Sequence, residues 1–152
     1  MTPSTRLDVR VDSPADLAIQ TLDAMRNLAA VILGGLKVLA VECWQARPGQ
    51  KPTDLDGVSN DLQLLVDLIE HVSGLVTPLT VDPAGIQGLG GMMSRVDVSL
   101  KMAKANSDWK GSARLLLNRL EPLLKELVNE TETLQIRVMT SGGLAREGTG
   151  GV

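Results

Sequence analysis

Residues 13–47 read SPADLAIQTLDAMRNLAAVILGGLKVLAVECWQAR, and this stretch decides the fold. Ser13 is a good N-cap and Pro14 suits the first helical position, where no backbone donor is needed. Asp16 places a negative charge near the positive end of the helix dipole. Apolar residues then return at Ala18, Leu22, Met25, Ala29, Ile32, Leu36, Leu39 and Cys43, in alternating steps of four and three. Such a heptad seam predicts one helix over 14–46 with a continuous line to bury. Leu28, Val31, Gly35 and Val38 form a second line, expected to widen the buried face and make the helix central. Gly34-Gly35 costs roughly 1 kcal/mol per glycine relative to Ala, so another helix is expected to approach closely there. Arg47-Pro48-Gly49 ends the helix, because Pro cannot continue it.

Further helices follow. A second is expected over 53–76, with Asp54 and Asp56 in its first turn and a seam at Leu55, Val58, Leu62, Leu65, Ile69, Val72 and Val76. Leu64 and Leu68 add an edge, and Gly74 with Thr77-Pro78 ends it. Residues 79–91 read as an irregular connection rich in glycine. A third helix is expected over 92–105, and a fourth over 107–140 with stripe Ala113, Leu117, Leu120, Leu124, Leu127, Thr131, Leu134, Val138. Asn106-Ser107-Asp108 offers its capping chemistry. Pro122 interrupts that stripe and predicts a kink near 118–121. Gly142-Gly143 is a C-terminal stop signal, leaving 142–152 as a flexible tail.

Ahead of the first helix, residues 6–12 alternate polar and apolar, the pattern of a short half-buried strand. This N-terminal arm, 1–12, either pairs with a neighbouring copy or lies on its own bundle. The fold expectation is therefore all-α: an up-and-down four-helix bundle over 13–141, a short N-terminal extended strand or arm, and a Gly-rich C-terminal tail.

The 152-residue composition supports this and narrows function. It is 43% hydrophobic and 22% charged, which suits one globular domain. There is no Phe or Tyr, and Trp44 and Trp109 are the only aromatic residues, so 25 leucines supply an aliphatic core. Aromatic cages and base-stacking platforms are excluded. One Cys and one His exclude a disulfide framework and a zinc cluster. The opening residues lack the apolar core of a secretory signal, and residues 28–41, interrupted by Lys37, fall short of a membrane span. The expected setting is the cytoplasm, or a virus particle assembled there, with Cys43 reduced.

Charge is unevenly placed. Between Lys51 and Arg95 there is no Lys or Arg, and six acids give −6; from Arg95 to Arg119 the balance is +4. Neighbouring helices within one bundle would account for this, and head-to-tail attraction between copies is the sharper alternative. The basic segment lacks aromatics, so nucleic acid is not an expected partner.

Candidate chemistry is sparse. Gly85-Ile86-Gln87-Gly88-Leu89-Gly90-Gly91 lacks the Gly-Lys-Ser/Thr of a phosphate loop. Asp67 and His71 are spaced i, i+4, but no second His or nearby Cys completes a metal set. Glu121, Glu126, Glu130 and Glu132 lack the Glu-x-x-His motif of di-metal bundles. No catalytic residue, cofactor, metal or small-molecule substrate is expected.

Trp109-Lys110-Gly111-Ser112-Ala113, between two predicted helices, resembles the Trp-x-Gly turn of the WXG100 family. The resemblance covers residues 92–140. It implies a helical hairpin, commonly dimeric and exported by type VII secretion, with Trp109 and Gly111 as turn residues. The chain departs from that pattern in being half again too long, in its two extra helices and in lacking any Tyr.

The function expected is that of a non-enzymatic structural subunit in a larger assembly, of virion, phage-particle or filament type. Its partners would be other copies of itself or other subunits. The alternative is a helical adaptor, including a WXG100-like bundle. Candidate interface residues are Leu7, Val9 and Val11 on the arm, Trp44, Leu64, Leu68, Trp109 and Leu115 on the helices, and Leu144 on the tail.

Overall fold

Helix α1 (Pro14–Gln45) starts where its capping chemistry puts it: the Asp16 N–H donates to Ser13 Oγ at 3.1 Å. A computed structural model describes residues 13–52 and 54–150, with side chains described to residue 141. The arm, including Leu7, Val9 and Val11, lies outside the described residues, as does the side chain of Leu144. Helices α2 (Leu55–Val76) and α3 (Ala84–Ala105) follow, joined by a 3-10 turn over Thr77–Leu79. The last rod is α4 (Trp109–Arg114), a π-turn over Leu115–Leu120, and α5 (Glu121–Gly150). Among the described residues there is no strand, and the architecture is an all-α bundle.

All eight residues of the α1 seam are buried. Helix α1 packs on α2, α4 and α5, and α2 and α5 both touch α3, so sequential helices are neighbours around one leucine-rich core. Buried hydroxyls are satisfied within their own helices: Ser73 donates to the Ile69 carbonyl at 2.7 Å and Thr131 to that of Val128 at 2.7 Å. Cross-ties are few. Gln135 Nε2 donates to Asp23 Oδ1 at 2.9 Å, fastening α5 to α1, and Ser141 Oγ donates to the Leu79 carbonyl at 2.9 Å. Lys104 at the end of α3 pairs with Asp56 at the start of α2, which also meets Lys51 at 3.4 Å.

Several expectations are corrected. Val31 and Val38 are not buried: they are 70% and 72% exposed, because the partner helices all sit on the seam side of α1. A Cβ placed at Gly34 or Gly35 would meet nothing within 4 Å, so no helix approaches them. Gly74 stays within α2, and the chain turns only after Val76. Residues 85–91 are the first turns of α3, not an irregular connection. Two of the glycines serve packing: a Cβ at Gly90 would crowd Ile69 of α2 at 3.3 Å, and one at Gly85 would meet the Glu130 carboxylate of α5 at 2.6 Å. The backbone of α5 continues through Gly142-Gly143, where glycine weakens a helix without breaking it.

The consequence of Pro122 differs most usefully. Lacking an N–H, it cannot donate one turn back, and its ring crowds the preceding carbonyls. The chain widens instead into a π-turn, in which the Glu121 N–H donates to the Leu116 carbonyl five residues earlier. Core positions step by four through Leu116, Leu120 and Leu124, so Leu116 is buried where Leu117 was expected.

The two faces of the fold differ measurably. Leu36→Ala should cost about 2–5 kcal/mol by urea unfolding, whereas Val98→Ala, on the exposed side of α3, should stay within about 0.5 kcal/mol.

Candidate protein-interaction site

Three surfaces stand out. The first is the outer side of α1. Ala24, Asn27, Val31, Gly34, Val38, Val41 and Gln45 are all exposed and again step by three and four. This is a second heptad line, opposite the buried one. Lys37 is the one charged residue between Arg26 and Glu42. Periodicity alone picked out Val31 and Val38 but grouped them with Leu28 and Gly35. Leu28 is half-buried against the core; the phase that includes Gly34 and Val41 would have identified the outer line.

The second surface lies between α1 and α4. Trp44, in the last turn of α1, is 48% exposed. Lys110 Nζ and the Arg114 guanidinium sit 5.3 and 5.5 Å from its ring centroid, so two cations face one π-system. Val41, Trp44, Ala113 and Leu117 line an apolar groove of about 290 Å³, with Arg114 on its rim. Leu117 reaches the groove because the π-turn rotates it out of the core.

The Asp108 cap holds α4 in place. The Gly111 N–H donates to Asp108 Oδ1 at 2.9 Å, and a side chain at Gly111 would collide with that carboxylate. The Trp-Lys-Gly sequence therefore has a local cause in helix capping. Trp109 is buried and fills the core, so its place among the surface candidates is corrected. Leu115 is half-buried against the core.

The third surface is the outer side of α2. Leu64 is 48% exposed, with Asp61 and Asp67 one turn to either side, and Leu68 is half-buried beside them. Asp67 accepts from Gln63 Nε2 at 3.1 Å and does not orient His71, which is exposed. Among the described residues, no Lys or Arg lies within 4 Å of Asp61, Asp67 or Glu70, and no carboxylate within 4 Å of Lys110 or Arg114.

Groups with reactive potential are held inert. The Cys43 thiol is buried, and desolvation, then the Glu42 charge, pushes its pKa to about 11, so it stays protonated at neutral pH. Asp97, which no sequence pattern singled out, is buried on α3. Lys101 meets its Oδ2 at 3.0 Å, while Oδ1 has no hydrogen-bond partner. Among the described residues no three His, Cys, Asp or Glu side chains converge on one point. By length and composition alone α1, and α2 with its 3-10 turn, could cross a membrane; each also presents one side to the bundle core.

No family model, curated protein or solved structure matches the chain.

The two tryptophans should separate by quenching. With Trp109 alone (Trp44→Phe), emission should be blue-shifted and poorly quenched by iodide. With Trp44 alone (Trp109→Phe), iodide should quench far better than caesium, because Lys110 and Arg114 attract anions and repel cations.

Proposed function

We propose that this chain is a non-enzymatic subunit of a larger protein assembly, working through helical packing. The carrying observation is the outer line of α1. From Asn27 to Gln45 it runs for about 27 Å at 1.5 Å per residue. A helix on the rim of a soluble bundle normally turns a charged or polar side to water. Here that side presents Val31, Gly34, Val38 and Val41, a strip of low charge and small side chains against which another helix can lie closely. Contiguous exposed apolar surface of this kind marks interaction sites.

Light scattering of the purified full chain behind a sizing column tests the reading. A defined species several times the 16.2 kDa chain mass is expected. The Val31→Glu, Val38→Glu double variant should lower that mass while keeping its helical circular dichroism. A monomer at every concentration, or assembly only on added lipid vesicles, would contradict the reading.

A further inference from the structure

We propose that copies of this chain join head to tail, with the acidic outer side of α2 on one copy seated in the Trp44 groove of the next. The inference rests on the assembly reading above and adds a second contact, distinct from that of the outer line of α1. Its basis is complementarity between two separate surfaces of one molecule. The groove is lined by Val41, Trp44, Ala113 and Leu117 with Gln45 and Asn118 beside them; Arg114 stands in its lining and Lys110 lies over the Trp44 ring. The α2 strip is apolar at its centre, through Leu64 with Leu68 beside it, and acidic on either side, through Asp61 and Asp67.

The same chain cannot join them to each other. The groove lies between α1 and α4, whereas α2 packs on α1 and α3 and turns the strip outward. Intramolecular pairing consumes only part of the charge: Lys104 and Lys51 go to Asp56, and Lys101 goes to Asp97. The acidic strip and the basic groove edge belong to the charges without ion-pair partners among the described residues. Opposite potentials on different surfaces favour a heterologous contact, which closes into a ring or continues as a filament. Leu64 would enter the groove, and Asp61 and Asp67 would face Lys110 and Arg114. Desolvation of the cations over Trp44 strengthens their hold on the arriving carboxylates.

Charge reversal with mixing tests this. The Asp61→Lys, Asp67→Lys variant loses the acidic strip and keeps its groove. The Lys110→Glu, Arg114→Glu variant loses the basic edge and keeps its strip. Each alone should have a lower mass than the wild type by light scattering, with unchanged helical circular dichroism. Mixing them in equal amounts should restore high mass, since each supplies the surface the other lacks. Asp61→Asn with Asp67→Asn, which removes charge without adding repulsion, should weaken assembly less than the reversal. If the wild type assembles and either reversal leaves its mass unchanged, or mixing restores nothing, this contact is wrong while the assembly reading stands. If the wild type is a monomer at every concentration, both fail.

Discussion

Eight side chains from Ala18 to Cys43 occupy one line of α1, and the rest of the bundle is arranged around that line. Helices α2, α4 and α5 all seat against it, so its burial commits the chain to one topology. The same packing leaves the opposite side of α1 uncovered. A helix with apolar residues on both sides cannot bury both within a four-helix ring of this size. The intramolecular fold buries the line from Ala18 to Cys43, and the line of Val31, Gly34, Val38 and Val41 stays exposed.

A smaller constraint shapes the end of the bundle. Pro122 removes one helical hydrogen bond, and the chain answers with a π-turn. The wider turn keeps Leu116, Leu120 and Leu124 in the core at four-residue steps and places Leu117 outside it. Leu117 then lies beside Trp44, where the basic start of α4 meets the end of α1. The π-turn thus contributes Leu117 and Asn118 to a groove whose other walls come from α1 and α4.

Much of this was legible in the residues. The unbroken four-three spacing of α1, the Ser13 and Asp108 caps and the number of helical rods all follow from periodicity and capping chemistry, which act over a few residues. What the sequence hid was phase and long-range approach. Val31 and Val38 read as a second buried stripe because periodicity reports that residues share a face, not whether anything covers it. The glycines at 85–91 read as a loop because the neighbours of two of them, Ile69 beside Gly90 and Glu130 beside Gly85, lie far away in the chain. Leu117 was assigned to the core because a π-turn shifts the register by one residue, and a lone Pro announces a disturbance without giving its form. Of the site residues, Leu64, Leu68 and Leu115 stand out as off-seam apolar positions, and Trp44 by its place at the end of the first helix. The pairing of Trp44 with Lys110 and Arg114 required the fold.

The assembly reading depends on α1 having one side committed to its own core and another available to a partner. Single cysteines at positions 31, 34 and 38, compared with 32, 36 and 39, test this directly by thiol labelling of the full chain. Native Cys43 is buried and protonated, so it contributes little background. Positions 32, 36 and 39 should not label, whereas 31, 34 and 38 should label rapidly in dilute protein and more slowly as concentration rises. Labelling of the inner set, or an outer set equally open at every concentration, would contradict a helix divided in this way.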